Sequence, residues 1–249
     1  MRNRITLITG GDRGIGRATA LALAEKGHQV CIGFRQREES AMEVVEKIRH
    51  AGGTAIAVQA DIAEEEQVVA MFRQIDRELG PLTGLVNNAA ILMPQSTIEA
   101  ISVQRLATMF ATNISGSFLC AREAVKRMAV RHGGEGGSIV NVSSAASRLG
   151  APHEYVDYAA SKGAIDTFTT GLAVEVAGEG IRVNAVRPGF IYTEMHADGG
   201  EPLRVERVKA SLPMKRGGQP EEVAQAILWL LSDEASYVTG SFLDLAGGK

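Results

Sequence analysis

The sequence predicts an α/β fold: a doubly wound, seven-stranded parallel sheet with helices on both faces. Three observations carry this. Apolar runs of five to seven residues alternate with helix-compatible runs of twelve or more. Strands buried on both faces read as such continuous runs, and helical crossovers join parallel neighbours. The first strand-like run feeds a glycine-rich turn and then an Ala- and Leu-rich helical run, which is a βα unit. Finally, 249 residues with 45% hydrophobic content suffice for a large core, and no Pro/Gly/Ser-rich linker or internal repeat divides them. Residues 1–249 are therefore read as one domain.

The elements follow in order. Residues 4–9 form a short buried strand, residues 10–16 a tight turn, and residues 15–26 a helix. Residues 29–34 are a second strand and 39–50 a second helix. A third strand at 54–59 precedes a helix at 65–79, and 84–87 closes a fourth strand. One long helix is expected over 103–130. A fifth strand covers 137–143, a helix 158–177, and a sixth strand 182–186. Pro220 opens a helix to residue 231, because proline lacks the N–H that a first turn cannot pair. Residues 242–245 make the seventh strand.

Composition excludes several classes. The net charge of -3 gives no broad basic field for nucleic acid. No apolar run is long enough to span a bilayer. Met1-Arg2-Asn3-Arg4 leads into too short an apolar stretch for a signal peptide, so the expected location is the cytoplasm. Cys31 and Cys120 lie in apolar segments and are expected to be buried free thiols. His28, His50, His132, His153 and His196 have no ligand spacing, so no metal site is expected.

Thr9-Gly10-Gly11-Asp12-Arg13-Gly14-Ile15-Gly16 sits between a strand and a helix. Gly10 permits the sharp turn, Gly14 lets backbone approach a pyrophosphate, and Gly16 lets the helix pack closely. The helix N-terminus adds free N–H groups and positive potential. The second strand ends Gly33-Phe34-Arg35, with no carboxylate where an NAD site usually places one. Arg35, with Arg13 from the turn, suits a 2'-phosphate, so the expected cofactor is NADP. The alternative is that these arginines are solvated loop charges. Asp61, beside Ile62 after the third strand, is placed to hold an adenine amine. Asn87-Asn88-Ala89-Ala90 puts small residues where a flat adenosine must pass.

Tyr158 and Lys162 are four apart on a helix-compatible run, hence on one face. A lysine cation favours the phenolate and lowers the phenol's pKa. Such a pair can move a proton at an oxygen changing between alcohol and carbonyl. Ser143 and Ser144 end the fifth strand, and alternation turns only one inward, where a hydroxyl can steady a developing charge. Asn113 lies inside the long apolar helix. Two readings stay open for it: a bond to a local carbonyl, or holding a water against Lys162.

Taken together, Thr9 to Gly16, Asn87-Asn88-Ala89, Asn113, Ser144 and the Tyr158/Lys162 pair resemble the short-chain dehydrogenases/reductases, across essentially the whole chain. The resemblance implies a Rossmann fold, with Asn113, Ser144, Tyr158 and Lys162 as catalytic residues. The cofactor would touch Gly10, Asp12, Arg13, Gly14, Ile15, Gly16, Arg35, Asp61, Ile62, Asn88, Ala89, Tyr158 and Lys162. The turn from Pro188-Gly189 to Thr193 would meet the nicotinamide, with Thr193 and the backbone of Ile191 bonding it. The serine–tyrosine gap is fourteen residues, one longer than the family's usual spacing, so one extra residue falls within 151–157. Tyr155 is not the family's tyrosine, because Ala159, not lysine, stands four residues on.

The implied reaction interconverts a carbonyl and a secondary alcohol by hydride transfer, with tyrosine as acid/base. The partner is a small-molecule carbonyl or alcohol. Members acting on 3-oxoacyl thioesters and on glucose, as glucose 1-dehydrogenases do, are both similar. The residues at 194–216 are expected to form a loop-rich substrate lid, with Arg148 and His153 near the entrance or facing solvent. A homotetramer is implied, packing through the helices of Asn113 and Tyr158 and through 242–245. An NAD-dependent sugar or alcohol dehydrogenase and a non-catalytic NADP-binding regulator are the competing readings.

Overall fold

The computed structural model describes residues 4–249; Met1 to Asn3, part of the leader reading, lie outside the described residues. The strands are β1 (Ile5–Thr9), β2 (Gln29–Phe34), β3 (Ala55–Gln59), β4 (Gly84–Asn87), β5 (Gly137–Val142), β6 (Ile181–Pro188) and β7 (Phe242–Leu245). They form one sheet in the order β3-β2-β1-β4-β5-β6-β7, and every neighbouring pair is parallel. The chain winds outward from β1 to β3, then returns past β1 to β4 and continues to β7. The reversal opens a crevice between β1 and β4 at the strands' carboxyl ends, the usual ligand position in such sheets.

The helices are α1 (Gly14–Glu25), α2 (Glu38–His50), α3 (Glu65–Glu78), α4 (Val103–Phe110), α5 (Gly116–Met128), α6 (Ala146–Leu149), α7 (Val156–Val176), α8 (Met195–Asp198), α9 (Arg204–Val208) and α10 (Pro220–Leu231). Side chains alternate across the sheet, so adjacent residues serve opposite cores. Leu7 packs with Phe72, Ile75, Ala124 and Val176 under α3, α5 and α7. Ile8 packs with Leu23, Val44 and Ile227 under α1, α2 and α10. Both faces are covered, which explains the unbroken apolar strands.

Two expectations need correction. The helix expected over 103–130 is not uniform: α4 passes through a π-helical turn, Ala111–Ser115, before α5, which stops at Met128. Its start is fixed by Ser102, whose hydroxyl accepts from Arg105 N at 3.1 Å. The segment at 194–216 is more ordered than a loop, because α8, α9 and a 3₁₀ turn at Lys209–Ser211 occupy about half of it. Val205 and Leu212 anchor it in the core, at 3% and 2% exposure.

Cys31 and Cys120 are buried free thiols. Among the described residues, no helix is long and apolar enough to cross a membrane. Nor does any cluster of His, Cys, Asp and Glu among them suit a metal ion.

Candidate active site

The glycine turn is shaped by contacts that leave no room for side chains. Gly10 and Gly14 have φ of 62° and 50°, in the left-handed region that favours glycine. A Cβ on Gly16 would stand 2.1 Å from Gly10 O and 2.6 Å from Asn88 Nδ2. Asn88 braces the turn, its Nδ2 donating to Thr9 O and Gly10 O at 2.9 Å each. The Thr9 hydroxyl accepts from Asn88 N and Ala89 N, both at 3.0 Å. Thr9 thus ties the β1 and β4 ends together. The side chain of Asn88 is spent on this bracing.

A groove of about 380 Å³ opens here, lined by Gly10, Asp12, Arg13, Gly14 and Ile15 from the turn, and by Arg35, Asp61, Ile62 and Ala89 from the strands beyond. Arg37, two residues beyond Arg35, also lines it. Arg35 pairs loosely with Asp61 at 3.7 Å. Asp61 turns its Oδ1 to Ala63 N at 3.0 Å, shaping the loop after β3. Arg13 bonds to Asp198 of α8, and Arg37 approaches the same carboxylate at 3.8 Å. Arg13 Nη1 is buried without a hydrogen-bond partner.

A second cavity of about 440 Å³ adjoins the groove, and Ile15, Asn88 and Thr193 line both. Ser144, Tyr158, Lys162, Pro188, Gly189 and Ile191 face this second space. Its remaining wall is mainly apolar, with Leu92, Ala145, Leu149, Tyr155, Phe190 and Met195. The two serines follow the end of β5 at Val142, and their hydrogen bonds distinguish them. Both line the cavity, but Ser143 is buried and its hydroxyl donates to Asp166 Oδ1 at 2.6 Å, while the Ser144 hydroxyl is hydrogen-bonded with Tyr158. The Ser144 hydroxyl also accepts from Ala146 N at 3.1 Å, which orients it at the start of α6.

Lys162 is 3% exposed. Its Nζ donates to Val142 O at 2.8 Å and lies 5.6 Å from the Tyr158 ring centroid. Tyr158 and Lys162 therefore share one face of α7. The expected acidification of the phenol is absent from this geometry. Burial pushes Tyr158 up to about 12, and its hydrogen bond with Ser144 only partly offsets this. Burial also pushes the Lys162 ammonium down to about 8, against the pull of Asp166. Desolvation wins because both groups sit in one low-dielectric wall.

Asn113 does not reach toward Lys162 with its side chain. Its Oδ1 accepts from Ile91 N at 2.8 Å, and its Nδ2 donates to Ile91 O at 3.1 Å and Ser161 Oγ at 3.1 Å. The amide thus fastens the loop after β4 to α7, from the π turn that interrupts the helix. Such turns are frequent at functional sites.

Some residues that shape the site carry no motif. Asp157 accepts a forked bond from Arg105, at 2.6 and 3.3 Å, and its Oδ1 also takes Tyr158 N at 2.9 Å. Asp166 receives Ser143 and, at 3.0 Å, Arg187. An acidic residue in the first turn of α7, just before the tyrosine, is the one signal the sequence carries. Tyr155 is 3% exposed and donates to Gly199 O at 3.1 Å, so it anchors the segment at 194–216. Ala151 and His153 have φ of 44° and 65°, where non-glycine residues are uncommon. This strain falls where the extra residue was placed. Ala151 and Pro152 line the cavity, whereas Arg148 and His153 do not. Arg148 instead pairs with Asp244 at 3.4 Å.

Comparison with known proteins agrees with this geometry. Residues 10–249 match the family model described as enoyl-(acyl carrier protein) reductase. An uncharacterized oxidoreductase of Escherichia coli K12, YgfF, is 66% identical over 98% of this chain and 99% of its own. The 3-oxoacyl-[acyl-carrier-protein] reductase FabG of Staphylococcus aureus Mu50 is 36% identical, covering 97% and 96%. Among solved structures, a short-chain type dehydrogenase/reductase from Mycobacterium marinum superposes with a TM-score of 0.91 at 35% identity, covering 98% of this chain and 94% of that one. A short-chain dehydrogenase from Burkholderia cenocepacia, solved in complex with NADP, gives 0.90 at 30% identity, covering 99% and 97%. With its parallel sheet, glycine turn and Tyr–Lys helix face, the chain belongs to the short-chain dehydrogenases/reductases and is an oxidoreductase of that family.

Proposed function

We propose that the protein is an NADP(H)-dependent oxidoreductase that interconverts a carbonyl and a secondary alcohol, with Tyr158 as general acid/base. The observation that carries this is adjacency: the glycine-turn groove and the cavity holding Ser144, Tyr158 and Lys162 share Ile15, Asn88 and Thr193 as a common wall. The residues present fit the dinucleotide. The cradle at Gly16 excludes even a methyl group, and Arg13, Arg35 and Arg37 gather at the adenosine end. When bound, the nicotinamide supplies or accepts the hydride.

The chain's own groups do the rest. Tyr158 gives a proton to the substrate oxygen in reduction and takes it back in oxidation. Ser144 positions that oxygen and stabilises its charge. Lys162 holds a cation behind the phenol. Asn113 fixes the loop after β4, whose Asn88, Ala90 and Leu92 line both groove and cavity. Pro188, Gly189, Ile191 and Thr193 form the wall on which the nicotinamide end would rest. The segment at 194–216 acts as the substrate lid, and the largely apolar lining suits a carbonyl with an aliphatic or acyl body. Exposed Val103, Phe118 and Val174, on α4, α5 and α7, support a homotetramer packed through those helices.

The test is a carbonyl panel followed by loss of NADPH absorbance, with NADH in parallel. Turnover is expected with NADPH. Tyr158→Phe should lower it by about 10²- to 10⁴-fold, the span of general acid catalysis, while NADPH affinity stays within about twofold. Undiminished turnover in that variant rejects tyrosine as the acid.

A further inference from the structure

Asp198 belongs to no motif of the sequence. It ends α8, within the segment proposed as the lid, yet its carboxylate reaches across the groove. It bonds to Arg13 and stands 3.8 Å from Arg37. Both arginines line the adenosine end of the groove, with Arg35 beside them. Arg35 is itself held only loosely, by Asp61 at 3.7 Å. The other carboxylates lining this groove are Asp12 and Glu194. Arg13 Nη1 remains buried and unpartnered, so the guanidinium has donor capacity that Asp198 leaves unused.

The next residue points the other way. Gly199 O accepts from Tyr155 on the wall of the substrate cavity, at 3.1 Å. Arg204 of α9 bonds to Glu154 on that wall. One short stretch, 198–204, therefore touches the cofactor arginines at one end and the substrate cavity at the other.

We infer that Asp198 is a cofactor-selectivity residue: it occupies Arg13 and Arg37 in place of a 2'-phosphate and is exchanged for that phosphate when NADP(H) binds. The inference rests on the NADP(H) reading above. A phosphate dianion offers three acceptor oxygens to these guanidiniums, whereas a carboxylate offers two, so the phosphate can also use Arg13 Nη1. The two anions cannot share the arginines without mutual repulsion. Asp198 yields because it is partly exposed, at 38% of its side chain, and such pairs are weak. NAD(H) lacks the phosphate and leaves the Asp198 contact intact. Binding of NADP(H) thereby frees α8, while the anchors at Gly199 and Arg204 stay in place.

The test uses the whole protein and two variants. Kd values for NADPH and NADH are measured by titration on wild type, Asp198→Asn and Arg37→Gln. Hydrogen exchange across 195–208 is followed with adenosine 2',5'-bisphosphate and with 5'-ADP as probes. Asp198→Asn is expected to tighten NADPH by about three- to fivefold, the upper size of a partly exposed ion pair, and to leave NADH within about twofold. Exchange at 195–198 should rise with the bisphosphate and not with 5'-ADP. The inference is overturned if Asp198→Asn leaves NADPH binding unchanged or weaker, if it tightens NADH equally, or if both probes act alike. The NADP(H) reading fails separately, if wild type binds NADH more tightly and Arg37→Gln does not weaken NADPH.

Discussion

Lys162 sits between two opposing influences. Desolvation drives its ammonium down to about 8 while Asp166 pulls it up, and Val142 O holds Nζ in place. Its phenol neighbour keeps its proton across the neutral range, because burial pushes Tyr158 up to about 12. Proton donation is then available at neutral pH, and what titrates first is the cation behind the phenol. We predict that kcat/KM for carbonyl reduction is flat through neutral pH and falls as pH rises through about 8. Lys162→Gln should lose that limb as well as rate. A profile unchanged to pH 10 in the wild type would separate Lys162 from proton transfer. His28 shows the same physics in a structural role. It is 5% exposed, bonds with Thr6 Oγ1 at 2.9 Å, and is pushed down to about 4 by burial and then by Arg4. The unfolded imidazole binds its proton from about 6.5 downward, the folded one only near 4. Its stabilising contribution is therefore complete above 6.5 and lost as pH falls through 4, up to about 3 kcal/mol. Thermal unfolding from pH 7 to 4 should show a smaller drop in Tm for His28→Gln than for wild type.

At the scale of elements, each site residue depends on how its helix or turn is held. The start of α7 is pinned by the Arg105–Asp157 fork across from α4. Arg105→Leu strands a carboxylate that is 3% exposed, and removing one partner of such a pair costs about 3–5 kcal/mol. We expect a lower Tm and reduced kcat with KM for NADPH little changed, since the fork touches the tyrosine end and not the groove. The glycine turn is tighter still. A methyl on Gly16 meets backbone oxygen at 2.1 Å, so Gly16→Ala should force α1 outward, destabilise by about 1–3 kcal/mol, and weaken NADPH by tenfold or more. Wild-type affinity in a folded Gly16→Ala would show that the close approach is not needed. Asn113 illustrates what element-level reading lacked: its amide stood between two roles in the sequence, and its partners include Ile91 and Ser161, twenty-two and forty-eight residues away.

For the whole molecule, the doubly wound sheet places one crevice over the β1–β4 reversal, and groove and cavity adjoin there. The residues 194–216 cover both. Assembly belongs to this scale. Val174 on α7 is 79% exposed and Phe118 on α5 is 46% exposed, stacked on Phe168 at 3.8 Å. The tetramer proposed here predicts that Val174→Glu sediments as a smaller species with Tm reduced. A wild-type protein that sediments as a monomer would end that proposal.

The sequence by itself determined the parallel sheet, the order of its elements, the glycine turn and the face shared by Tyr158 and Lys162. These are local facts: apolar periodicity, the steric demands of a turn, and a four-residue helical spacing. Tertiary structure alone decided what the Ser143 hydroxyl is bonded to, what Asn113 holds, and how Asp157 and Asp166 tether the site. It also set Asp198 against Arg13 and Arg37, partners 185 and 161 residues apart in sequence. Desolvation was likewise invisible beforehand. The balance that raises Tyr158 and lowers Lys162 depends on what surrounds them, and those surroundings are assembled from distant segments of the chain.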